Sequence, residues 1–267
     1  MIDLHCHILP GIDDGPRTME GSVALASAAF AGGTRTIVAT PHVSCAWPDN
    51  DAATIAQGVR AVNQALREAD IAVEVLAGAE VALSRVGDLK LGELEALRLG
   101  GGPWLLAECP LTVEAPGFEH GLATLQNQGH RILLAHPERC PAIQRDPQRL
   151  AALVERGMLT SVTASAFTGS FGRTVQRFAF ELLHCGLIHD IASDAHDAVR
   201  RPPALAAELV KAGLGDHAAR MTREIPEAIL RGTELPAPHP VALNSSARSR
   251  QAARLQRAVR RLLPAVR

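Results

Sequence analysis

His5 and His7 stand two residues apart in IDLHCH at the start of the chain. On an extended strand that spacing turns both imidazoles to one side and offers two nitrogens to one ion. An isolated HxH pair fits two solvated histidines equally well. The weight comes from the residues that accompany it: Asp13 and Asp14 in GIDDGP, His42 in ATPH, Glu80 in GAE, Glu108 in LLAECP, His136 in LLAHPERC, and Asp194 with His196 in IASDAH. Mixed imidazole and carboxylate donors suit Mn, with Fe, Zn or Mg as alternatives, and the absence of a thiolate cluster speaks against a structural zinc site.

More than six candidate ligands exceed what one ion uses. Two or three ions sharing a carboxylate is the expected arrangement, and such clusters favour hydrolysis of phosphate esters by activating a water while clamping the transferring oxygens. Arg139 follows His136 by three residues and is placed to reach a phosphate with a bidentate fork; a surface salt bridge with Glu138 is the other reading of the same spacing. Cys6 lies between the two histidines, so on a strand it points away from them into the core. A cysteine phosphatase needs arginine at a fixed distance after its thiolate, and none of the five cysteines has Arg six positions later; Cys140 to Arg145 is one residue short. Attack by a metal-bound hydroxide therefore fits better than a thiol nucleophile, and Ser84, Ser161 and Ser165 have no evident triad partners. His120, His130, His184, His189, His217 and His239 read as surface or packing histidines.

The elements that must carry these groups follow one grammar. IDLHCH is a strand, 18–31 a helix with Thr18 as cap, and 34–42 a buried strand ending on a proline. A helix over 51–69, strands at 71–80 and 103–110, a helix near 119–128 and a strand at 130–138 come next, then a helix at 147–156, a strand at 158–165, a helix at 172–185 and a strand at 187–196. Short apolar strands alternating with helices predict a parallel sheet covered on both faces, spaced as in a barrel. His5, His7, His42, Glu80, Glu108, His136, Asp194 and His196 each fall at or just beyond the C-terminal end of a strand, the face where such folds carry their chemistry, and Asp13 and Asp14 lie in the loop that follows the first.

The 267 residues are enough for a core without disulfides. The formal charge is −1, but it is uneven: residues 241–267 hold seven arginines and no acid, which leaves −8 on residues 1–240. An acidic body gives no basic groove for nucleic acid. Five cysteines without a CxxC pair fit a reducing compartment, and an N-terminus carrying acids, with no run of 18 apolar residues, reads as cytoplasmic. Residues 1–234 form the expected catalytic body and 235–246, LPAPHPVALNSS, a linker. Residues 247–267 are a basic tail with the period of a short amphipathic helix, which predicts either peripheral contact with anionic lipid or a disordered solubilising end.

The ordered set HCH, GIDDGP, ATPH, GAE, LLAECP, LLAHPERC and IASDAH resembles the PHP (polymerase and histidinol phosphatase) superfamily, and more closely its bacterial tyrosine-protein phosphatases of capsule and exopolysaccharide regulation. The likeness runs from residue 1 to about 232 and includes TGSFGRTVQRFAFELLHCGLIHDIASDAH and the RRPP at 200–203. It implies a distorted (β/α)7-type barrel with a three-metal site, commonly of manganese. One ion would be held by His5, His7, Glu80 and Asp194, with Glu80 bridging to a second on Glu108 and His136. A third would be held by Asp14, His42 and His196, and Arg139 matches the phosphate-contacting arginine.

The substrate implied is phosphotyrosine in the tail of a bacterial tyrosine autokinase of polysaccharide synthesis. A tyrosyl leaving group, with a free pKa near about 10, needs only metal or water assistance, and Asp13, Glu138 or a water stay open as proton source. The sequence departs from the family at Cys140, where an aromatic residue is usual, which weakens the expectation of a stacking wall for the substrate ring there. Two other readings share the ligands: a phosphoesterase of a small metabolite such as histidinol phosphate or a nucleotide, and a scaffold that binds the phosphorylated kinase without turnover.

Overall fold

The computed structural model describes residues 1–236. The rest of the linker and the basic tail, with its expected helix and membrane contact, lie outside the described residues. Strand β1 (Ile2–Cys6) leads to helix α1 (Met19–Ala31), whose N-terminus is capped by the Thr18 hydroxyl accepting the Gly21 N–H at 3.3 Å. β2 (Thr36–Ala39) and β3 (His42–Val43) precede α2 (Ala52–Glu68), capped by Asp51 on the Thr54 N–H at 2.7 Å. On α2, Ile55, Val59, Val62 and Leu66 recur every three or four residues and form its buried face. β4 (Glu74–Ala77), β5 (Glu80–Ala82), α3 (Leu91–Ala96) and β6 (Trp104–Glu108) follow, then α4 (Phe118–Asn127), β7 (Arg131–Ala135), α5 (Pro141–Arg145) and α6 (Gln148–Glu155). β8 (Leu159–Thr163), α7 (Arg173–His184), β9 (Asp190–Ala192), α8 (Leu205–Lys211), α9 (Gly215–Ala219) and α10 (Ile225–Arg231) complete the described chain.

Among the described residues all strand pairs are parallel, in two sheets ordered β1-β2-β4 and β3-β5-β6-β7-β8-β9. The sequence predicts single strands at 34–42 and 71–80; each is in fact two, and the breaks are physical. Pro41 has no N–H for a ladder, and just before it Thr40 bonds β1 instead, its hydroxyl accepting the Cys6 N–H at 3.0 Å and its own N–H reaching the Cys6 carbonyl at 3.0 Å. The second break falls at Gly78, where a Cβ would stand 2.7 Å from Val38 Cγ1. Beyond the breaks the chain re-pairs as β3 with β5, which sets His42 and Glu80 directly opposite each other in register.

The free edge of β1 is tied to the segment after β9. Asp194 N–H donates to the His5 carbonyl at 2.8 Å, His7 N–H to the Ala195 carbonyl at 2.9 Å, and Asp3 accepts the Ser193 N–H at 3.0 Å. Beneath, one apolar cluster joins strands of both sheets: Leu4, Val38, Leu106 and Leu133 meet Ile225 and Ile229 of α10. No described helix is long and apolar enough to cross a membrane.

Candidate metal centre

The strand ends bring the predicted ligands into one cluster, buried except at Asp14, His42 and Glu108. His5 Nε2 and His7 Nε2 lie 3.3 Å apart, and each faces both Glu80 Oε2 (3.3 and 3.5 Å) and Asp194 Oδ1 (3.5 Å each). Two ligand atoms about 2.1 Å from a common ion stand roughly 3.0–3.4 Å apart, the separation seen here. His42 spans two parts of the centre, with Nδ1 at 3.1 Å from Glu80 Oε2 and Nε2 at 3.5 Å from Asp14 Oδ1. His196 Nε2 reaches the same Asp14 oxygen at 3.3 Å, and His136 Nε2 meets Glu80 Oε1 at 2.7 Å.

Three sets of donors each converge tightly enough for one ion: His7, Asp14, His42 and His196; His5, His7 and Glu80; and His42, Glu80 and Glu108. Buried Glu80 Oε2 has imidazole nitrogens around it but no well-aligned hydrogen-bond donor, and His136 Nδ1 is likewise unpartnered. An acceptor surrounded by further lone pairs is what a cation would satisfy, so the donor set fits divalent ions.

The backbone contributes as well. Non-glycine residues with positive φ are Asp70, His136 (39°) and Asp194 (51°) among the described residues. Two of the three belong to the cluster, in a strained conformation that turns the chain sharply as it leaves β7 and β9. Short 3-10 turns follow the strand ends, and the one at Pro137–Arg139 carries Arg139 back over the centre.

Arg139 Nη1 donates to Asp194 Oδ2 at 2.7 Å, so the alternative surface pairing with Glu138 is not what forms. Glu138 is fully buried and accepts the Thr163 N–H at 3.1 Å; burial pushes its carboxyl up to about 7. Arg201 Nη2 donates to the same Asp194 oxygen at 2.6 Å, giving two guanidinium groups on Oδ2 while Oδ1 faces the imidazoles. Sequence reading missed Arg201, although the RRPP that contains it lies just after SDAH.

Asp13 is not among the converging donors. Its Oδ2 pairs with His7 Nδ1 at 2.8 Å and accepts the His42 N–H at 3.1 Å, while Oδ1 accepts the Gly15 N–H at 2.9 Å. It fixes the tautomer and direction of His7, the outer carboxylate that metal-bound histidines ordinarily carry. Asp14, half exposed, reaches into the centre from the other side.

The charges are mutually supportive. Burial works against the ionised forms of Glu80 and Asp194, yet the His5 and His136 imidazoles facing both, with a His7 hydrogen bond and the Arg201 guanidinium at Asp194, hold both carboxyls well below their usual range. The His196 hydrogen bond lowers Asp14. Glu108 goes the other way, up to about 7, because it is buried and beside the Glu80 charge.

Cys6 packs in the core as expected, with Sγ toward the Ala195 carbonyl at 3.8 Å, and burial pushes its thiol well above the usual range. Cys109 and Cys140 are buried too, and burial raises both thiols. His130 and His189 act as packing residues, accepting from Arg98 Nε at 3.2 Å and from the Thr160 N–H at 3.2 Å.

Comparison with known proteins agrees with this arrangement. The family model described as capsular polysaccharide synthesis, CpsB/CapC, matches residues 1–231. Tyrosine-protein phosphatase YwqE of Bacillus subtilis is 35% identical over 201 residues, 75% of this chain and 79% of its own. The putative tyrosine-protein phosphatase CapC of Staphylococcus aureus is 30% identical over 205 residues, 76% of this chain and 79% of its own. Among solved structures, that of YwqE from Bacillus subtilis and CpsB from Streptococcus pneumoniae, described as unique metal-dependent tyrosine phosphatases, superimposes with a TM-score of 0.78 at 31% identity, covering 90% of this chain and 98% of that one. A dihydropyrimidinase from Brevibacillus agri shares the fold alone, with a TM-score of 0.52 at 13% identity over 86% of this chain and 70% of that one. The chain belongs to the CpsB/CapC family, and with its clustered metal-ligand side chains it is a metal-dependent phosphatase.

Proposed function

We propose that this protein hydrolyses phosphotyrosine on a tyrosine autokinase that governs capsular or exopolysaccharide synthesis, with manganese as its metal. The observation that carries the reading is the convergence of imidazoles and carboxylates on Glu80 with Arg139 and Arg201 at the rim, in a chain related over most of its length to tyrosine phosphatases. In this reading His5, His7, Asp14, His42, Glu80, Glu108, His136, Asp194 and His196 hold two or three ions. The two sheets are arcs of one distorted (β/α)7-type barrel around them, within a catalytic body of residues 1–234. Divalent ions held there supply Lewis acidity to phosphoryl oxygens and lower the pKa of a bound water, which removes the need for a cysteine nucleophile.

The side chains do the rest. Arg139 and Arg201 present guanidinium forks on one side of the centre, where they hold a phosphoryl group and offset charge on its equatorial oxygens. Asp194 keeps both forks in place until substrate arrives. Asp13 holds His7 in a single orientation, and Phe171, stacked on Arg139 with its ring centre 4.5 Å from the guanidinium carbon, limits the sweep of that side chain. A tyrosyl oxygen, with a free pKa of about 10, leaves more readily than an alkoxide and takes its proton from water, Asp13 or Glu138.

Phosphate release from a tyrosine-phosphorylated autokinase tail, beside phosphoserine and histidinol phosphate controls, tests the substrate. Selective release from the tail is expected. Equal or better turnover of histidinol phosphate would move the function to small metabolites.

A further inference from the structure

Beside the arginine pair lies a cavity of ≈ 140 Å³ whose walls include Phe171, Arg201, Asp194, Ser165 and Ser170. Among its walls is the Asp194 carboxylate on which Arg139 and Arg201 converge, at 2.7 and 2.6 Å. Phe171 carries Arg139 against its ring and also walls the cavity, so one aromatic side chain adjoins both the phosphate-holding fork and the space next to it.

We infer that this cavity is the aryl subsite, taking the aromatic ring of the phosphate ester, and that Phe171 is the residue that sets the preference for aryl over alkyl phosphates. The inference rests on the phosphotyrosine reading above and assigns it a place. The volume is close to the roughly 150 Å³ that takes benzene in an apolar cavity, but here Phe171 and Pro202 are the apolar walls and serines, arginines and carboxylates make up the rest, so the ring is expected to pack on Phe171. The sequence departs from its family at Cys140, where a stacking residue is expected, and Cys140 is fully buried and takes no part in the site. Phe171, supplied by the next loop, stands at the site instead.

The loop that carries Phe171 is built to hold still. Gly169 and Gly172 flank it with φ of +90° and +88°, conformations that favour glycine. Ser170 N–H donates to the Ser165 carbonyl at 3.1 Å, Gly172 N–H to the Gly169 carbonyl at 2.9 Å, and Gln176 Nε2 to the Phe167 carbonyl at 2.9 Å. An anchored aromatic wall loses little freedom when a ring packs on it.

The same cavity disfavours phosphoserine for a stated reason. With its phosphate on the arginine forks, phosphoserine would draw peptide backbone against Phe171, with N–H and C=O groups leaving water for a partly apolar wall. Phosphotyrosine puts an apolar ring there and leaves its backbone outside. Glu208 on the far wall, holding the Thr168 hydroxyl, adds a negative charge that favours a neutral ring over an acidic group.

Phenylphosphonate and methylphosphonate, which carry an unbreakable carbon–phosphorus bond, separate ring recognition from turnover. Calorimetric titration of the full chain with manganese is expected to give phenylphosphonate about tenfold tighter binding than methylphosphonate. In Phe171→Leu that ratio is expected to fall toward one. Ser170→Phe, which fills the cavity from an exposed position, is expected to abolish it while Phe171 stays in place. A ratio of one in the unaltered protein, or a ratio unchanged in both variants, overturns the subsite. If Phe171→Leu weakens both phosphonates equally, Phe171 only braces Arg139 and the assignment is wrong. A protein that prefers phenylphosphonate yet releases no phosphate from a tyrosine-phosphorylated tail overturns the phosphatase reading and leaves the subsite standing.

Discussion

Asp190 opens β9 and Asp194 lies two residues past its end; both are almost wholly buried, and their carboxyls behave in opposite ways. Asp194 sits in the upper layer among imidazoles and guanidinium groups, and against the cost of burial these hold it well below the usual carboxylate range. Asp190 sits one layer down, where Ser161 Oγ donates to it at 2.5 Å and Asp3 is an acidic neighbour; burial pushes it up to about 8. Asp3 is raised by burial as well, and its carboxylate takes both the N–H (3.0 Å) and the hydroxyl (2.5 Å) of Ser193. Depth does not decide charge here; the neighbours do. In the upper layer Glu80 and Asp194 are held ionised to serve cations, and in the lower one carboxyls raised by burial bond the hydroxyls and amides that fix the loop bearing Asp194 and His196.

The largest expected effect comes from breaking the upper layer. Asp194→Asn removes the carboxylate charge that both arginines pair with and one of those facing His5 and His7, and we expect loss of bound metal by elemental analysis together with turnover at background. Full metal content and activity in that variant would show that Asp194 is not a ligand. Arg139→Ala should behave differently, with metal retained and kcat down about 10²–10³-fold, the loss typical of one transition-state donor. Unchanged turnover would remove its assigned role.

A smaller change follows at Asp13, which touches the centre only through His7 and two backbone amides. Asp13→Asn is expected to weaken metal binding about 10–100-fold in a competition titration, with kcat recovered at saturating metal. An affinity equal to that of the unaltered protein would mean that His7 needs no outer carboxylate.

The lower layer gives an effect visible in stability and not in chemistry. The folded pKa of Asp190, about 8, lies above its unfolded value, so between about pH 4 and pH 8 the folded state holds a proton that the unfolded chain has lost. Its contribution therefore declines as pH rises through that window, by up to about 1.4 kcal/mol per pH unit. In urea unfolding of metal-free protein, Asp190→Asn should lack this slope, so the stability difference from the unaltered protein should change between pH 5 and pH 8. Parallel pH profiles would contradict a neutral Asp190.

Much of the upper layer was legible in the chain because strand ends are marked by local pattern: HCH, ATPH, GAE, AECP, AHPER and SDAH each follow an apolar run. The positions of the ligands could be read this way, but their pairings could not. His42 lies between Glu80 and Asp14 because Pro41 and Gly78 break two strands and re-pair the pieces, an outcome of register across chain segments that periodicity does not express. Arg201 reaches Asp194 from a loop with no regular spacing, and Phe171 stands against Arg139 from a loop well beyond Cys140, where the family resemblance leads one to look for an aromatic ring. The lower layer escaped notice because Asp3 and Asp190 look like ordinary strand residues until their burial is seen.

Metal-stripped protein titrated with manganese while phosphate release from a tyrosine-phosphorylated autokinase tail is followed tests the central claim most directly. We predict no release without metal and activity that saturates only after more than one equivalent per chain. Full release from the stripped protein, or saturation at a single equivalent, would contradict a shared multi-ion centre around Glu80.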